Sequence, residues 1–358
     1  MNSYPIILCA FLICLVLIGP TIKLAKKLRL VDDPKVNFHP GQLLKKPLPR
    51  AGGLPIFMAI LLSLIIFIPF DKHLWGIFLA GGLVVLEGLL DDRYNPHPAF
   101  RLITQAVAAL IVIGFGVGIN EIANPFGGMI QLNQIDIPFR IFGEHHIFLL
   151  ADLLALVWII WTMNMVNWSS GVDGQMPGFI IIAASTIALL AAPFTAYDPS
   201  QWTVIAICGA TIGACSAFLV FNWHPAKIHP GDSGSMFLGF LLAVLAIFSG
   251  GKIATSILVL GIPTLDAVYV IARRLCQKRN PIWGDRGHLH HKLLDLGFSQ
   301  RQVALFYWIV AVVLGGIALL SSGREKVLAL LFLAGLLAFI LVLINRFSPQ
   351  KPKTQSHD

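Results

Sequence analysis

The stretch 231–250, GDSGSMFLGFLLAVLAIFSG, carries one charged residue, Asp232, and then runs apolar for a membrane's depth. About 20 apolar residues make a helix long enough to cross a bilayer. Similar runs recur along the 358-residue chain, at roughly 4–22, 53–70, 74–90, 102–118, 149–167, 178–193, 201–222, 253–272, 303–321 and 327–345. With the opening stretch, read as 234–250, that is eleven expected spans. The composition agrees: 56% of the residues are hydrophobic and 12% are charged, where a soluble domain has about 25% charged. The chain reads as an all-α polytopic membrane protein forming one integral domain over 1–358. The first run has no basic residue before it and a basic cluster after it, the pattern of a retained span with its N-terminus outside.

Lysine and arginine test this layout. Placing the odd-numbered loops and the C-terminal tail on one side collects 21 of the 26 basic residues there. The positive-inside rule makes that side cytoplasmic. The net charge of +8 then reads as topology signalling plus attraction to anionic headgroups. No nucleic-acid module is present, and nucleic acid is not an expected partner. The five cysteines have no metal-binding spacing. The outer segment 119–148 alternates apolar and polar residues and is expected to hold a small hairpin.

The inner loops hold the unusual chemistry: KKPLPRAGG (45–53), LLDDRYNPHP (89–98), NMVNWSSGVDGQMPG (164–178), NWHPAKIHPGDSGS (222–235) and DRGHLHHKLLDLG (285–297). A passive scaffold needs only basic loops there. Aspartate, asparagine, histidine, lysine and arginine beside glycine and proline on one face point to a composite site. Hard divalent cations take one or two carboxylates together with phosphate oxygens and water. Asp91, Asp92, Asp173 and Asp232 are the candidate carboxylates.

Gly231 and Gly234 permit turns beside Asp232, and the amides opening the next helix can meet a phosphate. A helix N-cap is the plainer role for Asp232. Asp91 and Asp92 point about 100° apart on a helix, so one is expected to face the reacting groups and the other to cap or orient. Glu87, one turn before Asp91, is an intramembrane acid, which marks function by default. His288, His290 and His291 with Arg286 and Lys292 form a cluster suited to a diphosphate. Zinc is the competing use of those histidines, but the surrounding ligands are oxygen-rich. Asn164 and Asn167 share a helix face and can ligate a metal, read a base edge, or bond between helices.

These five motifs, in this order, resemble the polyprenyl-phosphate N-acetylhexosamine-1-phosphate transferases, glycosyltransferase family 4. HLHHKLL is more similar to the GlcNAc-1-phosphate branch than to the phospho-MurNAc-pentapeptide translocases. The resemblance implies transfer of HexNAc-1-phosphate, with GlcNAc-1-phosphate foremost, from a UDP-sugar to undecaprenyl phosphate at the cytoplasmic membrane face, releasing UMP. It implies Mg²⁺, with Mn²⁺ as a substitute, held by Asn167 and Asp232. Asp91, Asp92, His288, His290 and His291 are implied to be catalytic. Lys46, Arg50, Asn164, Asp173, Gly231, Ser233 and Arg286 are implied to bind substrate. The expected partners are undecaprenyl phosphate, a UDP-HexNAc and membrane lipid, and a homodimer is compatible with the class. The family pattern Asn-x-x-Asn-x-x-Asp-Gly-x-Asp-Gly-Leu is broken here by Ser170 and Gln175. The rival readings are a translocase-type transferase, a relative without catalysis, and a transporter.

Overall fold

The computed structural model describes residues 3–33, 47–124, 128–140, 144–250, 253–278, 287–321 and 323–347. Lys46 and Arg286 lie outside the described residues, so their expected roles have no structural counterpart here. The helices are α1 (Tyr4–Lys27), α2 (Gly53–Phe67), α3 (Lys72–Tyr94), α4 (Pro98–Gly114), α5 (Leu149–Trp168), α6 (Gln175–Ala191), α7 (Ser200–Asn222), α8 (Gly231–Phe248), α9 (Ile253–Val259), α10 (Gly261–Cys276), α11 (Leu289–Asp295), α12 (Gln300–Leu320) and α13 (Gly323–Phe347). A helix or helix pair stands at every expected span. Seven helices among the described residues are long and apolar enough to cross a membrane, and α9 with α10 makes an eighth if the bent pair is one span. The helices α2 and α4 are apolar but shorter.

The expected single span at 253–272 is broken: α9 and α10 meet at 82°. Pro263, in the first turn of α10, has no N–H to give to the carbonyl four residues back, so the two helices cannot form one continuous ladder there. The expected single hairpin of the 119–148 segment is two. β3 (Glu121–Ala123) pairs with β4 (Met129–Gln131), and β5 (Asp136–Arg140) pairs with β6 (Glu144–Phe148). A further two-residue pair joins β1 (Val31–Asp32) to β2 (Leu48–Pro49).

The centre of the bundle is α8. Nearly all of its residues are buried, as expected for a helix apolar all round. It packs against α3, α5 and α2. Glycines permit the close approaches. A Cβ on Gly53 or Gly88 would strike the backbone of Ser233, and one on Gly239 would lie 2.8 Å from Met163 Cα. The N-terminus of α8 is therefore wedged between α2 and α3, which fixes Asp232 in space.

Candidate active site

The chain reaches Asp232 through a zipped pair of segments. His229 donates its N–H to Pro49 O at 2.8 Å, Gly52 donates to His229 O at 3.1 Å, and Gly53 to Pro230 O at 3.2 Å. Gly231 then turns with φ +67°, and a Cβ there would strike Asp92 Oδ2. Glycine is required on both counts.

Asp232 is not a cap. Pro230 stands at the N-cap, with no side-chain bond. The cap comes from another helix: Asp232 N donates to both carboxylate oxygens of Asp92, each at 3.1 Å. Asp92 thus fills the place where a phosphate was expected. Its side chain is fully buried and is neutralised by Arg50, whose Nε lies 3.0 Å from Oδ1. Burial opposes the charge on Arg50, but Asp92, with Asp232 and others behind it, outweighs this and raises its pKa.

Asp91 faces the other way, as neighbours on a helix must. Its carboxyl contacts that of Asp232. Asn167 Nδ2 donates to Asp232 Oδ1 at 2.6 Å and to Ser235 Oγ at 2.8 Å. Arg101 Nη1 stands 3.9 Å from Asp91 Oδ2 and 3.9 Å from Asp232 Oδ2. Arg50 Nη2 is 3.8 Å from Asp232 Oδ1. Arg101 had no singled-out role in the sequence; its signal was a cation spaced four residues from Gln105, on one face of α4.

Two carboxylates in contact need a shared proton or a cation between them. Among the described residues, no group of three or more His, Cys, Asp or Glu side chains is placed to hold a metal by itself. The two carboxylates suit the sparser requirement of Mg²⁺, which takes one or two carboxylates and completes its shell with water and phosphate oxygens; the Asn167 amide presents its Nδ2 to Asp232 and would turn to offer its oxygen.

The other expected residues fall around this centre. Asn164 is spent on helix packing: its Nδ2 donates to Gln105 Oε1 and Ile160 O, each at 2.8 Å. Ser233 is buried, with Oγ 3.4 Å from Pro230 O. Asp173 accepts from His224 Nδ1 at 2.7 Å and from Ala226 N at 3.1 Å, with His229 Nε2 at 3.2 Å. Burial alone would raise the pKa of Asp173, but His229, His224 and the Ala226 amide outweigh it and hold the carboxyl below its usual range. Asn222 braces the same corner, accepting from Gly174 N and donating to Ile228 O.

Asp266 positions the histidines. It accepts from His288 Nδ1 and from Leu289 N, each at 2.8 Å, and so starts α11. The rings of His288 and His290 stack with centroids 5.7 Å apart, and those of His290 and His291 are 4.2 Å apart. Gly171 lies against His290: a Cβ there would be 2.9 Å from its Nε2. Loop 169–174 therefore ties the histidines to the helix end that carries Asn167. Ser170 folds back on that end, donating to Asn167 O at 2.7 Å. Gln175 is buried and donates to Ser169 O at 2.9 Å, so it braces the loop from inside.

Residues 74–250 match glycosyl transferase family 4. The matched stretch is just under half of the 358-residue chain. The chain is 26% identical over 348 residues to the probable undecaprenyl-phosphate N-acetylglucosaminyl 1-phosphate transferase of Bacillus subtilis, covering 94% of this chain and 91% of that one. It is 26% identical to the decaprenyl-phosphate N-acetylglucosaminephosphotransferase of Mycolicibacterium smegmatis, covering 84% and 78%. The undecaprenyl-phosphate alpha-N-acetylglucosaminyl 1-phosphate transferase of Escherichia coli K12 is 27% identical, covering 89% and 84%. The family 4 match spans Asp91, Asp92, Asn167 and Asp232.

Proposed function

We propose that this protein transfers GlcNAc-1-phosphate from UDP-GlcNAc to undecaprenyl phosphate at the cytoplasmic face of an eleven-span membrane protein, starting a cell-envelope polysaccharide. The observation that carries the reading is the convergence of Asn167, Arg50 and Arg101 on the partly buried carboxylate pair Asp91 and Asp232, in a chain related along most of its length to GlcNAc-1-phosphate transferases.

The lipid phosphate oxygen attacks the sugar-bearing phosphorus of the donor. A new P–O–P bond forms there as the bond to the uridylyl phosphate breaks, and UMP leaves with that electron pair. Positioning and charge neutralisation are the protein's contribution to such a step. Asp232 and Asn167, with Asp91 beside them, would hold Mg²⁺, which supplies neutralisation of the phosphate oxygens when bound. Asp92 and Arg50 keep Asp232 in place. His288, oriented by Asp266, and His290 and His291 form the side of the site suited to the donor diphosphate. Ionisable groups gathered at one end of the bundle favour this reading over a transporter, whose charges sit mid-membrane.

A donor panel tests the proposal. Purified protein receives undecaprenyl phosphate, Mg²⁺ and either UDP-GlcNAc, UDP-GalNAc or UDP-MurNAc-pentapeptide, and the lipid product is resolved by mass spectrometry. GlcNAc-diphospho-undecaprenol from UDP-GlcNAc alone is the expected result. A product from the pentapeptide donor only would replace the reading with the translocase type.

A further inference from the structure

Glu87 lies on α3 one turn deeper into the bundle than Asp91. It is 2% exposed, and its Oε1 has no hydrogen-bond partner. A buried carboxylate oxygen without a partner costs free energy and asks for a reason. Its neighbour Arg101 has the converse problem. The guanidinium lies within electrostatic reach of Glu87, yet its contacts with Asp91 and Asp232 are 3.9 Å, too long for hydrogen bonds. The Arg101 guanidinium makes no hydrogen bond among the described residues. A buried acceptor without a partner thus lies within electrostatic reach of a guanidinium that is 22% exposed and makes no close ion pair.

Charge pairing shows how both can be satisfied. Asp92 is matched by Arg50 at 3.0 Å. A divalent cation at Asp91 and Asp232 would match that pair. Glu87 and Arg101 are then the two charges left over, and they are complementary. We propose that Glu87 is a positioning residue that receives the Arg101 guanidinium when the Asp91–Asp232 site is filled. In the structure Arg101 stands 3.9 Å from both carboxylates. A cation held by that pair would turn Arg101 one helix step deeper, to pair with Glu87 as a fork on a carboxylate, a geometry that strengthens such pairs. The inference rests on the divalent-cation reading above. Its consequence is that Glu87 sets how strongly Arg101 competes with the cation.

Mn²⁺ binding, read by electron paramagnetic resonance on protein in nanodiscs, tests this without any turnover. Glu87→Gln should weaken Mn²⁺ binding by about tenfold, because Arg101 has nowhere else to go. In an Arg101→Gln background the same change should alter it by less than about twofold. An equal loss in both backgrounds, or no loss in either, overturns the inference. If the wild type binds no Mn²⁺, the cation reading itself fails, and this inference fails with it. A second measurement needs no variant. Phenylglyoxal modification of Arg101, followed by peptide mass spectrometry, should fall at saturating Mn²⁺ as Glu87 takes the guanidinium. Unchanged modification, or a rise showing expulsion to solvent, contradicts the proposal.

Discussion

The backbone N–H of Asp232 donates to both carboxylate oxygens of Asp92, at 3.1 Å each, across 140 residues of chain. One helix thereby caps another, and the cap sits next to the residue on which the site is built. Because Arg50 neutralises Asp92, that carboxylate can be fully buried. Asp92→Ala would leave the α8 amides uncapped and Arg50 without its nearest partner. The expected outcome is a loss of about 2 kcal/mol or more in stability, with activity reduced at least as strongly as by loss of a metal ligand. Thermal unfolding in detergent and UMP release measure the two. Arg50→Lys should rescue part of the stability of Arg50→Ala, because a cation remains beside Asp92.

Gly88 permits α3 to touch the backbone of Asp232 and Ser233. Backbone cannot move aside as a flexible side chain can. Gly88→Ala is expected to destabilise the protein by about 1–3 kcal/mol through overpacking and to displace Asp232 from Asn167. A melting temperature equal to wild type would show that the helices separate without cost.

Asp173 gives a pH dependence with a definite sign. Its folded pKa is lowered, so the folded state favours the ionised form. That contribution is complete above the unfolded carboxylate value of about 3.9 and is lost as pH falls through the lower folded value. At pH 7, Asp173→Asn should cost about 1–3 kcal/mol, the scale of a buried charge-assisted hydrogen bond. The gap between variant and wild type should narrow on acidification into that range. Denaturant melts at several pH values read it directly.

Ser170 stands where the family pattern has aspartate, and its hydroxyl donates to Asn167 O at 2.7 Å. An ionised aspartate cannot donate, so Ser170→Asp should lose about 1 kcal/mol of stability. Transfer from UDP-GlcNAc should be preserved or raised. Abolished transfer in a folded protein would contradict the alignment of this loop.

Much of this was legible before the structure. Apolar runs locate helices because a bilayer demands length and continuity, and each expected span meets a helix or, at 253–272, a bent pair. The angle between helix neighbours already separated the roles of Asp91 and Asp92. The break before α10 was within reach, since Gly261 and Pro263 lie inside the expected span. Other features were not legible, because they depend on which helices meet. The bonds from His224 and His229 to Asp173 join two loops about 50 residues apart in the chain. Arg101 looked like one more inner-face cation until α4 was placed beside α3. Asn164 carried three readings on its residue type alone, and its bond to Gln105 appears only once α4 and α5 are placed side by side.

The proposed role of Asp232, holding the charge of the reacting phosphates, is read by UMP release from purified protein with UDP-GlcNAc and undecaprenyl phosphate, comparing wild type with Asp232→Asn, with and without Mg²⁺. Release should need both the lipid and Mg²⁺ and should fall at least about 100-fold in the variant. Release that persists in folded Asp232→Asn at the wild-type rate would contradict it.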